Sequence, residues 1–371
     1  MKPIESRVTA HPLFKLFFSA LALPLAVLCF AATAHAGGNH QVFELGDFAL
    51  ESGTTLPSAK LSYVTHGALN AAKSNVVLLP SFYAGDHHGY DFLIGPGKAL
   101  DPERYFIVVT DMFGNGLSSS PSNTPPPVNG ARFPVISTRD NVKAAYRLVT
   151  EKLGIAHLKA VAGFSMGAQQ AFQWAVSYPD FADAIVAYCG TAKEYAHGVV
   201  RLEGFKSAIM ADAEFNGGAY VQPPLKGLKA GGRHWAGWGF SQEWFRQELY
   251  KQFGHASVEE HLQKFWEAFF TSQDANNLIA QAITWQGNDV GKTDGFNGDH
   301  ERALRSIKAR VLYMPCQSDL YFPPEYALYE AKFIPQVKLV PIPSIWGHIA
   351  GLGINAPDNE FIDKSVRDFL K

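Results

Sequence analysis

Val161-Ala162-Gly163-Phe164-Ser165-Met166-Gly167 is the stretch on which the reading of this chain turns. It holds a full G-x-S-x-G, and the flanks give that pattern its meaning. Upstream, Leu158 to Phe164 is short and apolar, which predicts a buried strand. Downstream, Met166 to Tyr178 is rich in Ala, Gln and Trp and stops before Pro179, which predicts a helix. Strand, Gly-Ser-Gly turn and helix together make the context of a nucleophile elbow. The turn is too tight for a Cβ on either side of the serine, and its strain leaves the hydroxyl exposed. A chance match among 33 glycines is the competing reading, and the flanking strand and helix argue against it.

The bulk composition sets the frame. The 371 residues are 47% hydrophobic, enough for one enlarged α/β domain or two small ones. Lys plus Arg number 32 against 34 Asp plus Glu, so charge supplies no reason to expect nucleic acid or an anionic membrane as partner. Residues 1–36 read as a signal peptide. Lys2, Arg7 and Lys15 form a basic start, Leu16 to Ala34 is almost wholly apolar, and Ala34-His35-Ala36 is a small-x-small cleavage pattern. Pro24 and the small residues that follow the run argue against a lasting membrane anchor, and Leu28 before Cys29 argues against a lipoprotein. The expectation is a cut after Ala36 and export to a periplasm or the medium. Cys189 and Cys316 then remain, each at the end of a candidate strand. They would bridge if those strands were neighbours in an oxidising compartment, but two unpaired buried thiols is the preferred reading.

Outward from the elbow, strands and helices alternate. Gln41 to Asn70 predicts an antiparallel edge with turns at Gly46 and Gly53-Thr54. Asn75 to Ser81 and Tyr105 to Asp111 are continuous apolar runs and predict buried parallel strands, and Asp140 to Leu153 has helical spacing. Between about 191 and 308 the strand-like runs vanish and helical ones take over, one of them opened by a capping box at Ser257-Val258-Glu259-Glu260. Five of the seven tryptophans, Trp235, Trp238, Trp244, Trp266 and Trp285, fall in this stretch, which predicts a helical cap with an aromatic core. Strands return at Arg310 to Cys316 and Val337 to Ile342, and a closing helix spans Asp358 to Leu370. The fold class is therefore α/β: a single domain over 37–371 with the α/β-hydrolase fold, a mainly parallel sheet with helices on both faces and a helical cap insertion.

A serine hydroxyl needs a base, and the base needs a carboxylate to hold its tautomer. In this fold the three occur in the order Ser, acid, His, at the ends of successive strands. Asp319 follows the penultimate strand and His348 the last, so Ser165, Asp319 and His348 are the predicted catalytic residues. His197, His234, His255, His261 and His300, like Asp289, Asp294 and Asp299, precede the strand that should carry the acid. The backbone N–H groups of Met166 and Phe82 are the predicted oxyanion donors, with Tyr83 as second choice. Asp86, His87 and His88 lack the spacing of a zinc site, so neither a metal nor another cofactor is expected. Tyr83, Arg233, Trp235, Trp238 and Ile349 are the candidate pocket residues, with an apolar or aromatic substrate group in view.

Several further stretches are similar to the homoserine O-acetyltransferase family of α/β-hydrolase-fold proteins. They are Leu93 to Asp101, Phe133 to Asp140, the elbow itself, Ala211 to Tyr220, Ser318-Asp319 and Gly347-His348. The resemblance implies the same three catalytic residues and homodimerisation through the cap. Its acceptor-binding residues do not carry over. The family's aspartate after the catalytic histidine is Ile349 here. Its carboxylate-gripping cap arginine falls on Gly232, with Arg233 displaced by one, and its Arg-Phe-Asp-Ala is Ser272-Gln273-Asp274-Ala275. A site without charges for a zwitterionic acceptor, in an exported chain, predicts hydrolysis of a small-molecule carboxylic ester rather than transfer from acyl-CoA. An acyltransferase with a different acceptor is the alternative, and a non-catalytic binding protein is the third class.

Overall fold

A computed structural model describes residues 40–371, so the expected signal peptide and the expected cut after Ala36 lie outside the described residues. Its frame is an eight-stranded sheet in the order β1-β2-β4-β3-β5-β6-β7-β8. The strands are β1 (Gln41–Ala49), β2 (Thr55–His66), β3 (Val76–Pro80), β4 (Phe106–Thr110), β5 (Ala160–Phe164), β6 (Ala184–Tyr188), β7 (Arg310–Met314) and β8 (Val337–Leu339). β1 and β2 form the antiparallel edge, and every pairing from β4 to β8 is parallel. The continuous apolar runs have the expected cause: Val77 and Leu79 of β3 enter the core on one face, Val76 and Leu78 the core on the other. Each such side chain contributes about 1.5–3 kcal/mol by leaving water.

Helices α1 (Thr138–Arg147) and α2 (Met166–Ser177) precede the cap. Ser137 caps α1 by a reciprocal box with Asp140, so the helix opens at Thr138, two residues before the predicted start at Asp140. Between β6 and β7 every described element is helical, the longest being α3 (Ala196–Met210), α4 (Leu225–Gly239) and α5 (Ala275–Gln286). Trp235, Trp244, Trp266 and Trp285 are buried and continuous with the core on one face of the sheet. Helices α6 (Pro324–Glu330) and α7 (Ala356–Leu370) complete the chain. The two strands of chain that enter and leave the cap are tied together and to α6. Glu330 accepts from Ala192 N, Tyr195 Oη and Tyr313 Oη, and His300 sits between Glu330 and Asp289, which in turn pairs with Lys193.

Three local expectations are corrected. Gly46 is a bulge inside β1, at φ 68°, rather than a turn, because the β1–β2 register slips on both sides of it. The box at Ser257 is half-formed: its hydroxyl accepts Glu260 N, but the Glu260 carboxylate takes Ala256 N instead of Ser257 N. β8 ends at Leu339, and Ile342 contributes only an isolated bridge to Cys316. Cys189 and Cys316 are both buried free thiols.

Candidate active site

Ser165 stands between β5 and α2 at φ 55° and ψ −123°, a conformation that an L-residue holds only when its surroundings force it. The forcing is visible in the two glycines. A Cβ on Gly163 would lie 2.0 Å from Gly167 O, and one on Gly167 would lie 2.5 Å from Pro80 O. Beneath the turn, β3 and β5 pair only at Val77–Ala160 and Leu78–Val161 and then diverge. Tyr90 fills the gap that opens. Its buried hydroxyl donates to Pro80 O at 2.6 Å and accepts from Phe164 N at 3.1 Å, standing in for the missing ladder bond.

His348 and Asp319 arrive from the two loops predicted. His348 Nε2 is 2.9 Å from Ser165 Oγ, and His348 Nδ1 is 2.8 Å from Asp319 Oδ2. Asp319 Oδ1 accepts Tyr321 N at 2.8 Å and Phe322 N at 3.2 Å, so both carboxylate oxygens are committed and the group cannot rotate away. Ser318 links the two loops: its hydroxyl donates to Ser344 O and accepts Gly347 N. Gly347 has φ 63°, and a Cβ there would meet Gly239 O at 2.7 Å, which explains the glycine beside the histidine. The imidazole lies among the rings of Tyr321, Phe164 and Phe322, at 4.3, 4.7 and 5.6 Å between centroids. A hydroxyl, an imidazole and a fixed carboxylate in line can move a proton off the hydroxyl and back.

Phe82 lies two residues past the end of β3, and its backbone N–H has no hydrogen-bond acceptor among the described residues. Met166 opens α2, where the first N–H groups have no intrahelical partner. The loop bearing Phe82 is held from the cap. Gln281 of α5 accepts Ala84 N at 2.8 Å and donates to Gly114 O at 2.6 Å, while Tyr83 Oη donates to Leu278 O. Ala84 lies at φ 53°, so this clamp holds a strained turn.

The pocket residues divide. Tyr83 and Trp235 stack at 5.1 Å, Trp235 also meets Tyr321, and Ile349 is buried next to His348 in the chain. Arg233 and Trp238 are corrections. Arg233 is 40% exposed and bound to Glu259 and Glu267, and Trp238 packs on His197. The helical period explains the first miss, since residues two apart point roughly 200° apart around α4. His87 and His88 diverge, one to Asp111 and the other to Asp91. Sequence reasoning passed over Tyr90, Gln281, Glu194 and Arg201. The only local signal was a charged residue set among apolar neighbours in Val199-Val200-Arg201-Leu202.

The chain matches the alpha/beta hydrolase fold family over residues 75–352. It is 38% identical over 338 residues to an ethyl acetate hydrolase of Pseudomonas veronii, covering 90% of this chain and 96% of that one. The structure of an acetylester hydrolase from Corynebacterium glutamicum superposes with a TM-score of 0.87 at 36% identity, over 89% of this chain and 95% of that one. A homoserine O-acetyltransferase of Chlorobium chlorochromatii is 31% identical, over 87% of this chain and 92% of its own length.

Proposed function

The chain belongs to the alpha/beta hydrolase fold family and is an enzyme of its esterase and homoserine O-acetyltransferase branch; on that premise we propose that it is a secreted serine esterase working through Ser165, His348 and Asp319. The hydrogen-bonded line from Ser165 Oγ through His348 to Asp319, at 2.9 and 2.8 Å, carries this reading. Ser165 Oγ attacks the acyl carbon as its proton passes to His348 Nε2. The carbonyl oxygen takes the electron pair and faces the N–H groups of Phe82 and Met166. As the tetrahedral centre collapses, the ester C–O bond breaks and His348 returns the proton to the departing alkoxide. Water, deprotonated by His348, then attacks the acyl-enzyme and releases the acid and free Ser165. Asp319 keeps Nδ1 protonated and Nε2 free to accept.

Packing supports hydrolysis over transfer to homoserine. The acceptor arginine implied by the transferase resemblance falls on Gly232 of α4, where even a Cβ would lie 2.9 Å from Trp266 O, so the helical segment Leu262–Glu267 packs into the place a side chain would need. Ile349, at the position of the implied aspartate, is 3% exposed within the apolar core. The test is a panel of p-nitrophenyl esters beside an acetyl-CoA plus homoserine assay. Release of free acid, undiminished by added homoserine, is the expected result; acetyl transfer to homoserine would overturn it. The basic, apolar and Ala-x-Ala succession in residues 1–36 supports export, and the exported protein is expected to begin at Gly37 on N-terminal sequencing.

A further inference from the structure

Arg201 has no role in the chemistry above, yet it sits one ring away from it. Its side chain is 1% exposed, and Nε, Nη1 and Nη2 have no hydrogen-bond partner among the described residues. Three rings surround the guanidinium: Tyr321 at 4.2 Å, Trp285 at 4.6 Å and Trp235 at 5.2 Å. Tyr321 lies between it and His348, whose ring is 4.3 Å away on the other side. Ring faces stabilise a cation, but they offer no acceptors to its N–H groups.

The nearby carboxyls do not supply them. Asp319 is taken up by His348 and two backbone N–H groups. Glu194 Oε2 accepts Trp285 Nε1 at 2.5 Å and Gln169 Nε2 at 3.2 Å, and no ion pair joins Glu194 to Arg201 among the described residues. A buried guanidinium with its donors unmet is costly, and a fork of donors one ring away from the catalytic histidine matches a carboxylate.

We propose that Arg201 is the anion receptor of the substrate pocket, and that the preferred ester carries a carboxylate a short chain away from its scissile carbonyl. This rests on the esterase reading. It differs from the acceptor arginine of the transferase resemblance, whose place on α4 is Gly232; Arg201 approaches from α3. The rings explain how the cation is held in place before an anion arrives, and the unpaired donors explain what the anion gains.

The test uses two matched pairs. p-Nitrophenyl hydrogen glutarate against p-nitrophenyl pentanoate places the carboxylate on the acyl side; acetoxypropanoate against propyl acetate places it on the alcohol side. The wild-type protein is expected to prefer the carboxylated member of one pair by on the order of tenfold to a hundredfold in kcat/KM, mainly through KM. Arg201→Met is expected to remove that preference and Arg201→Lys to keep part of it. An equal ratio in wild type and Arg201→Met, or preference for the neutral member of both pairs, overturns the proposal. Calorimetric titration of the wild-type protein with glutarate reads the site without turnover and without a variant. Heat of binding that pentanamide does not reproduce supports the receptor, and none overturns it. Absence of hydrolysis of every ester, with glutarate still bound, would instead count against the esterase reading.

Discussion

Replacing Tyr90 by Phe removes one oxygen and, on the present account, the splice beneath the nucleophile. The ring stays, so its edge contact with Phe82 is kept. What is lost is the bond to Pro80 O and the bond from Phe164 N, at 2.6 and 3.1 Å, in a residue with no solvent exposure. Each leaves a buried backbone group without a partner, at about 1–3 kcal/mol apiece, so the pair costs about 4 kcal/mol. For a chain of this length that lowers Tm by roughly 5 °C. The loss falls where β3 and β5 have already separated, so Ser165 moves with respect to Phe82, and kcat should fall about tenfold. Scanning calorimetry and p-nitrophenyl acetate kinetics on Tyr90→Phe read both effects. A Tm within about 2 °C of wild type with unchanged kcat would refute the argument.

Gln281→Leu should free the strained turn at Ala84 and lower kcat about tenfold to a hundredfold, with a smaller change in KM, in steady-state kinetics. His300 couples cap anchoring to pH. Burial alone would lower its pKa, but its hydrogen bond to Asp289 and the Glu330 carboxylate 3.2 Å away carry it up to about 9. That lies above an unfolded histidine near 6.5, so its stabilisation is full below about pH 6.5 and is lost as pH rises through about 9. Thermal unfolding from pH 7 to pH 10 should show the loss, and His300→Gln should flatten it. His261 behaves in the opposite sense. Burial, with His255 beside it, lowers its pKa to about 4, so the folded state gains over the unfolded one above about pH 6.5 and loses that gain as pH falls toward about 4. Denaturant unfolding at pH 4 to pH 7 should record the decline, smaller in His261→Phe.

The sheet and the line of three side chains were legible because both leave local marks: apolar runs of strand length, glycines flanking Ser165, and an Asp and a His each placed just past a strand. Tyr90, Gln281 and Arg201 left almost none. Their work is done across 74, 197 and up to 120 residues of chain, by a hydroxyl, an amide and a guanidinium that any surface helix or loop could also carry. Arg233 was misplaced for a related reason. Spacing along the chain brought it near the site, while the turn of α4 carried it round to Glu259 and Glu267. Gly46 shows the same limit in the sheet, since a glycine between strand-like residues reads equally as a turn or as a bulge.

The chemistry stands or falls on whether the acyl group passes through the hydroxyl of Ser165. Mixing the protein with p-nitrophenyl acetate, quenching in acid before steady state and mapping the digest by mass spectrometry locates it. An acetyl group on the peptide containing Ser165, absent when residue 165 is replaced by Ala, is the predicted result. Steady hydrolysis with no acetyl group on that peptide, or with the Ser165→Ala protein as active as the wild type, would contradict it.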